Sequence, residues 1–90
     1  MVREQLQTAA THLTTASEAA DDDAASERLT ELAEQLETLS TADRGPDHGR
    51  MARIQNALSD LKADASDEVV DEIDAAKDAI SAYRETVQGV

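Results

Sequence analysis

Two histidines, several groups of carboxylates and one arginine-bearing turn are the side chains of this sequence that could do chemistry. The imidazoles are His12 and His48. Neither belongs to a Glu-x-x-His arrangement, the spacing that places two metal ligands on one face of a bundle helix. Cysteine is absent, which removes thiolate catalysis, thiolate metal sites and disulfides together. His12 sits between Thr11 and Leu13 and reads as a boundary histidine at the edge of an apolar stripe. Acids such as Glu31, Glu34, Asp71, Asp74 and Asp78 follow the solvent side of their segments. General acid/base work instead needs carboxylates whose burial drives their pKa values apart. Asp21-Asp22-Asp23 lacks the alternating donors, turning glycine and distal acid of a calcium loop; three adjacent acids suit the start of a helix. No phosphate-cradling glycine loop and no nucleophile with a base at recognisable spacing occurs. The expectation is a chain that is not an enzyme and carries no metal or cofactor.

One segment stands apart. Arg44-Gly45-Pro46-Asp47-His48-Gly49-Arg50, followed by Arg53, puts three of the eight cations within ten residues of a strongly acidic chain. Read functionally, a helix beginning near Asp47 would point free N–H groups at the turn, where Arg44, His48, Arg50 and Arg53 could hold an anion or an acidic partner. Read structurally, Gly-Pro-Asp is ordinary turn chemistry. Asp47 is then an N-cap, and the arginines pair with Asp43, Asp47 or Glu37.

Composition narrows the setting. Twenty acidic against eight basic residues give a net charge of −12, with only Lys62 and Lys77 as lysines and Tyr83 as the sole aromatic. In dilute buffer such a chain repels itself, whereas at molar ionic strength the Debye length shrinks to about 3 Å and the repulsion is screened. Abundant Asp, Glu, Ala and Thr with few lysines therefore suggests adaptation to a salt-rich cytoplasm. The charge and the lack of stacking aromatics disfavour nucleic acid as a partner. No apolar run reaches signal-peptide or membrane-span length, so a cytoplasmic location without membrane contact is expected.

The elements that would position these groups are helices. Ninety residues allow one domain, and the breakers cluster at one place, dividing it into a helical half 2–41, a turn 42–49 and a helical half 50–88. Met51, Ile54, Leu58, Leu61, Ala65, Val69, Ile73, Ala76, Ile80, Tyr83 and Val87 recur every 3.6 residues on average, the period of one helix face. One continuous helix of about 40 residues fits that stripe, with Ser66-Asp67-Glu68 as the place where a new helix would otherwise be capped. In the first half, Val2, Leu6, Ala9, Leu13, Ala16 and Ala20 form one stripe, and Ala25, Leu29, Leu32, Leu36 and Leu39 form another. On a straight helix the two would lie about 140° apart, so a kink or turn is expected at Asp21-Asp22-Asp23.

The fold class is therefore all-α. The favoured arrangement is a long antiparallel helical hairpin that pairs with a second copy into a four-helix bundle, because the core of one chain is thin. The alternative is a monomeric up-down four-helix bundle with breaks near 21–24 and 64–67. The Ala/Asp/Glu/Thr-rich helices, the two lysines and the Arg44–Arg50 turn together resemble the small acidic all-helical proteins of unknown function found in haloarchaea. That resemblance implies a habitat and carries over no catalytic residue. The function expected is that of a salt-adapted interaction protein acting through self-association, as a homodimer, and through an unidentified protein partner. A small-ligand or anion-binding module at the 44–53 turn is the other reading.

Overall fold

A computed structural model describes residues 3–43 and 48–86. Four helices follow one another: α1 over Glu4–Ala19, α2 over Asp23–Thr41, α3 over His48–Lys62 and α4 over Asp67–Thr86. No strand occurs among the described residues. The all-helical class and the bundle are as expected; the single long helix of the second half is not. A helix of 40 residues would extend about 60 Å, whereas the longest dimension of the molecule is 38 Å. The second half instead folds back on itself at 63–66.

The local reason for that break is readable in its hydrogen bonds. The amides of Ala63 and Ala65 reach the carbonyls of Asp60 and Lys62, three residues back, the tightened pattern by which a helix end uses its last carbonyls. Ser66 then caps α4, its Oγ accepting from the Val69 amide at 3.4 Å, and Asp67 and Glu68 occupy the positive first turn. The break at 20–22 is built similarly, with the Asp22 carboxylate accepting from the Ala25 amide at 2.9 Å. Of the three acids at 21–23, one turns the chain, one caps and one opens the helix.

The helices run alternately down and up around a single core. α1 packs broadly on α2 and on α4, α3 packs on α4, and α2 barely touches α3. The core is what the stripes promised. Leu6, Leu13, Leu29, Leu36, Leu58, Ile73 and Ile80 are fully buried, and Ala9, Ala16 and Ala76 are buried in the same cluster. Both stripes of the first half face this core from two separate helices, which removes the 140° conflict they would have on one. Val2 and Val87 lie outside the described residues. A single chain thus closes over its own apolar faces, and the thinness that suggested a second copy is met within the molecule.

Polar stitching differs from seam to seam. Between α1 and α2, Ser17 and Ser26 each donate a hydroxyl to the other's carbonyl, at 2.9 and 3.0 Å, and Ser17 Oγ also meets Thr30 Oγ1 at 2.7 Å. Arg3 reaches from the start of α1 to the end of α2, where its guanidinium donates to the carbonyls of Leu39 at 3.1 Å and Ala42 at 2.8 Å. Helix α2 has no basic residue in its own last turn, so Arg3 supplies the cation that its negative C-terminal end favours. Between α3 and α4, Lys62 pairs with Asp74, Lys77 donates to Ser59 Oγ at 2.6 Å, and Gln55 donates to the Lys77 carbonyl and to Ser81. Arg3, Lys62, Lys77 and Arg84 are therefore engaged between helices, while Arg28, Arg50 and Arg53 stay exposed among the acids.

Candidate functional site

The two inter-helix turns at 20–22 and 63–66 share one end of the bundle, opposite the end of α2 and the start of α3. Because α2 and α3 scarcely meet, the bundle is open between them at this end. A pocket of about 490 Å³ lies there. Its floor is apolar: Leu29 and Val69 are buried beneath half-buried Leu61, Ala25 and Ala65. Its rim is acidic, with Asp21 and Asp22 from the α1–α2 turn on one side, and Asp60 of α3 and Asp64 of the α3–α4 turn on the other. Asp60 stands in the last turn of α3 and Asp64 in the turn that follows it.

No described cation is paired with that rim. Among the described residues Asp21, Asp60 and Asp64 have no ion-pair partner, and the Asp22 carboxylate is engaged only by the Ala25 amide. The nearest cation in sequence, Lys62, is directed to Asp74 on α4. An arrangement of this kind can attract a cation and shelter an apolar body. It has no buried carboxylate of the type acid/base catalysis uses, since all four acids are exposed.

The sequence-derived candidates lie at the other end. Arg44 is outside the described residues, as is the Gly45-Pro46-Asp47 that was read as turn and cap. His48 opens α3 and turns to α4, where its Nδ1 accepts from Arg84 Nε at 3.2 Å. Arg50 and Arg53 are exposed, and at about 100° per residue their positions lie about 140–160° around the helix from His48. One helix cannot aim all three at one anion, so the structure brings Arg50 and Arg53 to one side and separates them from His48. Arg84, which pattern reading passed over, anchors this end instead. Besides His48 it donates to Gln55 Oε1 at 2.7 Å. Its signal in the sequence was faint: a lone arginine one position beyond core Tyr83, with no acid at helical spacing to mark a partner.

His12 proves to be a boundary residue with a partner, its Nδ1 2.7 Å from Glu72 Oε1 on α4. Asp74, grouped with the solvated acids, is half-buried and paired with Lys62, while Glu31, Glu34, Asp71 and Asp78 are exposed.

A family of unknown function, DUF7553, matches residues 1–86. The chain belongs to that family. The match takes in all four helices, so the pocket, the Arg84 anchor and the Arg3 cap are parts of one DUF7553 unit. No curated protein and no solved structure matches the chain. No helix among the described residues is long and apolar enough to cross a membrane. The DUF7553 assignment brings no activity with it, and the chemistry has to be argued from the pocket.

Proposed function

We propose that this chain is a non-enzymatic binding module of a salt-rich cytoplasm, and that its contact surface is the acid-rimmed pocket between α2 and α3. The observation that carries the reading is the pairing of an apolar floor, Leu61, Ala25 and Ala65, with four carboxylates that form no ion pair among the described residues. Ligand sites are concave and largely apolar with a few oriented polar groups, and this end of the bundle has that form. What fits is cationic at its edges and apolar along its body. The haloarchaeal resemblance and the net charge of −12 support the salt-rich setting.

The interaction role expected from the sequence is kept, with its location moved. The 44–53 turn has its histidine committed to Arg84, whereas the pocket has nothing of its own to fill it. Self-association has a weaker physical motive once one chain buries its own stripes, and the molar mass by light scattering in molar KCl decides it.

The test of the pocket is recovery of the tagged chain from native lysate in molar KCl, with co-purifying proteins and small cations identified by mass spectrometry. The same recovery is made with Ala25→Trp, which fills the pocket from α2, after circular dichroism has shown the helices intact. A ligand held by the native chain and lost from the variant supports the reading. Equal retention by both places the contact elsewhere.

A further inference from the structure

We infer that the pocket takes a linear aliphatic polyamine, its methylene body laid over Leu61, Ala25 and Ala65 and its ammonium groups set against Asp60 and Asp64 on one wall and Asp21 and Asp22 on the other. The inference rests on the reading of this pocket as the binding site and names what occupies it.

Three properties select this chemistry. The first is charge with no ion-pair partner among the described residues. Arg28 is turned to Glu31 and Lys62 to Asp74, so the four rim acids offer charge to an outside cation.

The second is how that charge is spread. Among the described residues no three or more His, Cys, Asp or Glu side chains come together as a metal ion requires. A point cation would meet too few donors at once, since calcium takes six to eight oxygens at about 2.4 Å. A cation with charges at intervals along a chain matches carboxylates held on opposite walls, each ammonium donating up to three hydrogen bonds.

The third is the floor between the walls. A hydrated inorganic ion gains nothing from Leu61 and the alanines, while each buried methylene is worth about 0.8 kcal/mol. That gain does not depend on long-range attraction, which is screened beyond about 3 Å in molar salt. A volume of about 490 Å³ also lies within the range of small-ligand sites, about 300–1,000 Å³.

The experiment is titration of spermidine into the full chain in molar KCl, followed by calorimetry and by amide chemical shifts. Saturable one-to-one binding is expected, with shifts confined to the segments around 20–25 and 60–66. Asp60→Asn with Asp64→Asn should weaken it at least tenfold, equivalent to about 1.4 kcal/mol. Asp71→Asn with Asp78→Asn, a control pair exposed on α4, should leave it unchanged. Equal weakening by both pairs, or shifts spread over the whole acidic surface, would mean diffuse counterion binding and overturn the inference. If spermidine is inert but a short peptide with lysines flanking leucine shifts the same residues, the polyamine assignment falls and the pocket stands. If neither probe moves them, both readings fall.

Discussion

His12 Nδ1 and Glu72 Oε1 lie 2.7 Å apart across the seam between α1 and α4, a side-chain contact that joins the two helices. It links the half of the chain before the 42–47 connection to the half after it, in a seam otherwise made of Leu6, Leu13, Ile73, Ile80 and the alanines between them. Both side chains are about one third exposed, so solvent moderates the pairing.

A double-mutant cycle with His12→Ala and Glu72→Gln should accordingly return a coupling of about 0.5–1 kcal/mol. Urea unfolding of the four proteins at one salt concentration gives the number. A coupling near zero would mean that the contact orients the helices without stabilising them.

The apolar part of the same seam should matter more. Leu13 is fully buried, and Leu13→Ala is expected to cost about 2–5 kcal/mol through lost transfer energy and the cavity left behind. A domain of ordinary stability has only about 5–15 kcal/mol in all. Thermal unfolding should therefore shift by tens of degrees or vanish, while Ile73→Val, which removes one methyl, should cost about 1 kcal/mol.

Arg3 predicts a local effect of a different kind. Its guanidinium holds the carbonyls of Leu39 and Ala42, and its amide donates to Ser40 O at 2.8 Å. Arg3→Met keeps the aliphatic stem and removes the charge. It should destabilise the chain by about 1 kcal/mol and speed hydrogen exchange in the last turn of α2, leaving α4 as it was. Uniform acceleration across all four helices would show that the cap acts on global stability alone.

Salt should act on the whole molecule. With a net charge of −12 and three cations, Lys62, Lys77 and Arg84, directed into the α3–α4 seam, acids far outnumber cations at the surface. The melting temperature should climb by about 10 °C or more from dilute buffer to molar KCl, which for a chain of this size corresponds to about 2 kcal/mol. A flat profile would remove the argument for salt adaptation.

Much of this architecture was legible in the order of the residues. The 3.6-residue stripes marked the buried faces, and every stripe position among the described residues is buried or half-buried, from Leu6 to Tyr83. Asp21-Asp22-Asp23 announced a helix start because short acids satisfy free amides at the positive end of a helix. The break at 63–66 was visible only as an option. Ser66-Asp67-Glu68 is a good cap, yet the apolar period runs on through it, since two antiparallel helices facing one core keep the same stripe that one long helix would. Periodicity records which side of the backbone is apolar and is blind to the direction in which the next helix runs.

The pocket was hidden for a related reason. Asp21 and Asp22 are separated from Asp60 and Asp64 by nearly half the chain, and none of the four departs from a solvated acidic face when read in its own segment. They come together because both turns fall at one end of the bundle and because α2 and α3 part there. By itself the sequence determined the helical class, the buried stripes and the acidic composition, all of which follow from local period and residue type. The tertiary structure decided which acids share a rim, that Arg3 finishes another helix, and that Arg84 meets His48, because those are contacts between segments whose relative placement is set by packing the whole core at once.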